Sequence, residues 1–270
     1  MADIAHFFQS VKLPVMPEVA QALIRTLNNP DADVTSVTHV IAKDPALTVS
    51  LLRIANSALF GLSRSVSSLD SAVSVVGMSQ IRVRALSICI ANAFRFPPHL
   101  SRLEFWRRSM VCAGYAKWLA GTIGLDEQQA WLTGMMLRLG ELVIAQRNSD
   151  LLEAIERQPC DPGDRWTRER SLAGFDECQI TAELARRWDF PADVTQALDA
   201  SSQPLVAAEF SRLGAVVHLA ALLSKTTSAT PQTLDALPAA VVQALGLNLE
   251  KLKMHMPHAE SFSDISMLPG

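Results

Sequence analysis

No excess of positive charge runs through this sequence. Lysine and arginine total 24 against 27 acidic residues, a formal net charge of −3. A strongly basic domain or stripe, the footprint of a nucleic-acid binder, is missing. The pairs Arg82/Arg84, Arg107/Arg108 and Arg186/Arg187 are expected on solvated helix faces. Cysteine is sparse too: Cys89, Cys112, Cys160 and Cys178, with no CxxC pair. That disfavours zinc ligation and a disulfide framework. Cys89 and Cys112 fall in apolar helical stretches, as small buried hydrophobes do. The opening MADIAHFFQSVKLP has neither the basic start nor the apolar core of a signal peptide. The longest apolar stretch, Leu213 to Leu223, is interrupted by His218 and too short for a bilayer. A soluble, cytoplasmic protein is expected, with neither nucleic acid nor membrane as partner.

Familiar catalytic patterns are also lacking. There is no G-x-S-x-G, no glycine-rich phosphate loop and no paired carboxylates at a recognisable spacing. Asp161, Asp164 and Glu169 cluster in what reads as a polar loop, and solvated charge accounts for them. No alternating run is long enough to force a sheet, and no repeat or low-complexity segment occurs.

What is present is helix. Hydrophobic residues make up 49% of the 270 and charged residues 19%, the balance of a globular chain with a core. Val19, Leu23, Ile24 and Leu27 share one helical face, and Val34, Val37, Val40 and Ile41 another. Asp44 suits an N-cap and Pro45 a first helical turn, ahead of the stripe Leu47, Leu51, Ile54 and Ala55. Asn56 and Ser57 suit a helix end, through side chains that bond the local backbone. Phe60 is expected as a core plug, Gly61 as a stop, and Gly77 as the close of a short helix opened by serine. RFPPHLSRL breaks the run at Pro97 and Pro98. Beyond it, helices are expected over about 104–121, 127–147, 150–157, 176–188, 192–200, 205–224 and 238–245. QPCDPGDRW is expected as a loop.

The stretch from Leu13 to Leu86 closely resembles the HD-related output domain (HDOD) family of bacterial signalling proteins. The specific parts are DPALT-x-x-LLRIANSA-x-FG, Asp44 to Gly61, and VSSL…AV-x-x-VG, Val66 to Gly77. The resemblance continues more weakly through FWRRSMVCAGYAKWLA. It implies an all-α fold, with an N-terminal helical subdomain (1–96) packed on an HD-phosphohydrolase-like helical subdomain (97–257), then a flexible tail (258–270). Asp44, Pro45, Asn56, Ser57, Phe60, Gly61 and Gly77 are expected to serve structure rather than chemistry.

HD enzymes hold metal ions with histidine nitrogens and aspartate oxygens, which activate water and neutralise phosphate charge. On the resemblance, the first histidine position falls at about Arg108. The adjacent His-Asp pair falls at Leu137–Arg138 in GMMLRLGEL, the next histidine near Glu177, a later histidine cluster near Ala200 to Ser202, and the final aspartate at about Ala221. Leucine and alanine offer no donor, and an arginine repels a cation. His218 is the one histidine on a core-like helix of the second half, and a satisfied core residue accounts for it. No cofactor is expected.

The resemblance therefore implies a non-enzymatic bacterial signal-transduction protein that acts through other signalling proteins. Its usual settings are motility, biofilm formation and cyclic-di-GMP pathways. The alternative is a nucleotide sensor of the cyclic-di-GMP kind, with Arg108, Arg138 and Arg147 as candidate anion binders. A metal-dependent phosphohydrolase with displaced ligands ranks last. One geometric criterion separates the first two. Glu141 or Glu177 within bonding reach of Arg138 fills the site from within; an unpaired Arg138 facing an open pocket favours the sensor.

Overall fold

The structure, a computed structural model, describes residues 4–9, 11–29, 31–57, 60, 65–98, 100–157, 162–206, 209–224 and 229–265. Gly61, His99, Cys160 and Asp161 lie outside the described residues, as do 266–270 of the expected tail. Every regular element among the described residues is helical. None of these helices is by itself long and apolar enough to cross a membrane.

The chain divides into two compact units. Among the described residues, one comprises 14–95 and 188–191; the other 4–13, 96–187 and 192–265. The first contains α2 (Glu18–Leu27), α3 (Val34–Ala42), α4 (Pro45–Ala55), α5 (Leu69–Val76) and α6 (Met78–Ala93). The second contains α1 (Ile4–Gln9), α7 (Arg102–Thr122), α8 (Glu127–Met136), α9 (Leu139–Arg147), α10 (Ser149–Glu156) and α11 (Pro162–Ala173). It continues with α12 (Glu177–Arg187), α13 (Ala192–Ala200), α14 (Arg212–Ser224), α15 (Ala239–Ala244) and α16 (Leu249–Met254).

In the first unit the motif residues act on the backbone. Asp44 Oδ1 accepts from Leu47 N–H at 3.0 Å, so it caps α4, and Pro45 occupies the first turn. Asn56 closes the same helix and pins a later strand of chain to it. Its Nδ2 donates to Leu52 O at 2.9 Å and Val66 O at 2.8 Å, while its Oδ1 accepts from Val66 N–H at 2.7 Å. Ser57 Oγ donates to Ile54 O at 2.7 Å. Gly77 joins α5 to α6 at φ +96°, a conformation that disfavours any side chain, and the two helices diverge there by 116°. Two expectations fail. Phe60 is only half-buried, so it plugs no core. Arg84 is buried and Arg82 half-buried, its Nη1 donating to Thr26 O at 2.9 Å, so neither sits on a solvated face.

The second unit has a different extent from the one expected. Residues before Leu13 belong to it because α1 buries two aromatics there. Phe7 packs edge-on against Phe175 and under the Arg147 guanidinium at 4.3 Å; Arg187 lies 4.8 Å over Phe8. Residues 259–265 belong to it through the 3-10 turn Ala259–Phe262, whose Phe262 ring packs edge-on against Tyr115 at 5.3 Å. The expected flexible tail is thus docked as far as Ile265.

Three helix boundaries also move. Pro162–Ala173 is helix, not loop: a proline is tolerated in a first turn, and Arg165–Glu169 bond across one turn of it. Helix α14 begins at Arg212 rather than 205, where Ser211 Oγ accepts from Gly214 N–H at 3.0 Å. The helix expected over 127–147 breaks into α8 and α9 at Leu137–Arg138.

Candidate functional site

The break between α8 and α9 is made by a side chain from another helix. Thr181 of α12 donates its hydroxyl to Leu137 O at 2.8 Å and accepts from Gly140 N–H at 2.7 Å. A hydroxyl inserted into the helical ladder takes the place of main-chain bonds and turns the helix. Gly140 permits the approach. A Cβ there would lie 2.7 Å from Glu177 Cα and overlap the Glu177 carbonyl oxygen. The turn presents Arg138 and Glu141 three residues apart, and brings α12 with Glu177 directly against them.

Arg138 is 12% exposed at its side chain and Glu141 1%, and Arg138 Nη2 donates to Glu141 Oε2. The guanidinium also lies 5.3 Å over the Phe105 ring. Arg165 of α11 approaches the same Glu141 oxygen at 3.7 Å. It bonds Glu169 Oε1 through Nε at 2.9 Å, and Glu156 through Nη1. Glu169, fully buried, accepts from Glu177 N–H at 2.7 Å. Trp166 Nε1 donates to Glu177 Oε1 at 3.0 Å. Two cations and four carboxylates thus form one network. Burial alone would raise the Glu141 carboxyl, but Arg138 and then Arg165 outweigh it and hold the pKa below the ordinary value. Burial works to lower Arg138, and the fields of Glu141 and Glu177 reverse it, so the guanidinium is held charged.

The expected metal positions are therefore located. Leu137 is buried and donorless, Arg138 is ion-paired, and Ala221 is buried on α14. Arg108 is exposed on α7, close enough that its charge helps to lower Glu141. Glu177 is buried between α9, α11 and α12. Arg147, a candidate anion binder, is stacked on Phe7 instead. His218 behaves as a satisfied core histidine, Nδ1 2.7 Å from Ser201 O and ring 5.2 Å from Trp166. Among the described residues no group of three or more His, Cys, Asp or Glu side chains is placed to hold a metal ion. The donor chemistry agrees: a leucine and a bonded guanidinium at the pair position do not fit a cation.

Sequence reasoning misses five members of this site, Glu156, Arg165, Trp166, Glu169 and Thr181. Arg165 and Trp166 fall in the segment expected as loop, and Glu169 was expected as solvated charge. The i,i+4 spacing of Arg165 and Glu169 is the signal that would find them, once that segment is allowed to be helical. Thr181 carries no sequence signal, since its partners lie about forty residues away along the chain.

Fold and site together define an all-helical domain in which the position expected for a metal pair carries an internal ion pair. The chain belongs to the HDOD family, whose domain model matches residues 13–204. A crystal structure of "Putative phosphohydrolase" from Shewanella amazonensis SB2B is similar over 98% of both chains, at 26% identity and a TM-score of 0.78. One of a "Putative signal transduction protein" from Marinobacter aquaeolei VT8 matches 94% of this chain and 57% of its own, at 25% identity and a TM-score of 0.75. Among curated proteins, an uncharacterized protein of Treponema pallidum (strain Nichols) is 23% identical over 186 residues, 67% of this chain. The chain spans only 36% of that relative's length.

Proposed function

We propose that this chain is a bacterial, cytoplasmic signal-transduction domain that works by binding partner proteins and hydrolyses nothing. The two similar crystal structures carry different functional names, phosphohydrolase and signal transduction. The Arg138–Glu141 pair at Leu137–Arg138 supports the second. Hydrolysis of the HD kind needs cations at that point, and here a guanidinium repels them while Glu141 is already committed to it. Membership of the HDOD family supports a regulatory role.

The test is metal content and phosphodiesterase activity of the chain purified without chelator. No stoichiometric metal and no hydrolysis of bis-p-nitrophenyl phosphate above blank is expected, with manganese, iron or magnesium added. Stoichiometric metal together with hydrolysis abolished by Glu177→Gln would sink the proposal. The nucleotide-sensor alternative loses ground on its own criterion, since Arg138 is bonded from within. Calorimetric titration with cyclic-di-GMP is expected to release no heat of binding.

A further inference from the structure

The HD-like unit carries an open cleft of about 770 Å³, and none of its lining residues belongs to the Arg138–Glu141–Arg165 network. Its size is that of a binding site rather than a packing fault. One wall is a face of α13, where Asp193, Gln196 and Asp199 recur every three residues. The rim includes Gln203, Val206, Glu209 and Phe210, which lie between α13 and α14. There Val206 is 75% exposed and Phe210 42%, with Glu209 beside them. Large apolar side chains left in water beside a cleft mark an interaction surface.

Charge selects the occupant. Four lining side chains are acidic, Asp176, Asp193, Asp199 and Glu209, against two basic ones, Arg170 and Arg212. Arg170 is bound to the buried Asp176, Nη1 to Oδ2 at 2.5 Å, so this pair cancels. Arg212 donates to the neutral Ile123 carbonyl at 3.2 Å and keeps its charge, one cation against the three carboxylates that follow. Asp193 receives the Gln129 amide at 2.5 Å, which leaves its negative charge uncompensated. Asp199 pairs at 2.6 Å with Arg186 from outside the cleft, both side chains more than a third exposed. Such exposed pairs contribute little and exchange partners readily. Glu209 makes no ion pair among the described residues. The cleft thus offers carboxylates at Asp193, Asp199 and Glu209 beside an apolar rim.

We propose that this cleft docks a basic, amphipathic segment of a partner protein. Its lysines or arginines meet Asp193, Asp199 and Glu209, and an apolar side chain covers Val206 and Phe210. The proposal rests on the partner-binding reading above and gives that partner a surface and a chemistry.

The full chain is titrated into a fluorescein-labelled amphipathic helical peptide of leucine and lysine, followed by anisotropy. Saturable binding is expected, weakening as salt rises and the Debye length shortens. Glu209→Lys and Phe210→Ala should each weaken it about tenfold. Glu153→Lys makes the same charge change on exposed α10 and should leave it unaltered. Equal binding of the glutamate counterpart peptide, or an equal loss in Glu153→Lys, overturns the proposal. So does saturation of the cleft by spermine with no peptide binding, which would assign it to a small polyamine. A dimer of the chain that Glu209→Lys dissociates would assign it to a second copy and equally overturns it. The peptide result is independent of the metal and hydrolysis assay, so failure of the cleft leaves the partner-binding reading standing.

Discussion

Glu141 is a buried carboxylate with a guanidinium on each side, Arg138 in hydrogen-bond contact and Arg165 at 3.7 Å. Such a pair gains little net stability over an apolar packing, because both charges lose their water; breaking it is costly, because the survivor stays buried and unmatched. Glu141→Gln leaves both arginines without their shared counter-ion and should destabilise by about 3–5 kcal/mol. Arg138→Met leaves Glu141 with Arg165 and should cost distinctly less. Urea unfolding resolves the difference as a shift in midpoint at constant slope. A Glu141→Gln loss under about 1 kcal/mol would mean that the network is solvated and not closed. The Arg138–Glu141 half of this site is legible in the sequence, since the two stand three apart in one helical run. The Arg165–Glu169 half is not, because proline and glycine at its start mimic a loop.

Helices are where local sequence speaks most clearly, and α4 shows why. Its cap, its first-turn proline and its buried stripe all lie within Asp44 to Ala55, so every determinant is local. The break between α8 and α9 shows the reverse. No residue of GMMLRLGEL forbids a continuous helix, and the interruption comes from Thr181 on α12. The docked chain end is likewise a tertiary matter, decided by Gly114 on α7. A Cβ at Gly114 would overlap the Phe262 ring, so the absent side chain is the seat of the turn Ala259–Phe262. Gly114→Ala should therefore release that turn. Glycine-to-alanine inside a helix would otherwise favour α7 by roughly 1 kcal/mol, which leaves the helix itself intact. Hydrogen exchange should rise across 259–265 while α7 stays protected. Protection lost equally in α7 would show that the glycine is needed for core packing and not for the turn.

At the scale of the whole chain, the closed network lies in one of the two units and not in the other. That asymmetry predicts an uneven response to acid. A carboxyl whose pKa is lower in the folded chain than in the unfolded one stabilises the fold above its unfolded value, and withdraws that stabilisation as the pH falls through the folded value. Burial raises Glu141 and Arg138 and Arg165 more than reverse it, so its folded pKa lies below 4.5 and its stabilisation drains away below that pH. Asp176 in the same unit is shifted upward, chiefly by burial, so it favours the fold as the pH drops and partly offsets the loss. The loss is the greater effect, because protonating Glu141 removes the bonded counter-ion of the buried Arg138 and one of the three carboxylates around Arg165, whereas Arg170, the partner of Asp176, is more exposed. In the other unit Asp33 is lowered by its hydrogen bonds to Ser36, but it is fully exposed and its charge is screened. Four of the five tryptophans, Trp106, Trp118, Trp131 and Trp166, belong to the unit that holds the network, and Trp188 to the other. Below pH 4.5 tryptophan fluorescence should therefore change ahead of far-UV circular dichroism, which reports helices in both units. Coincident transitions would mean that the chain unfolds as one cooperative body and would defeat the prediction. In Glu141→Gln, which has no carboxyl to protonate at that position, the early fluorescence step should disappear even though the variant is less stable throughout.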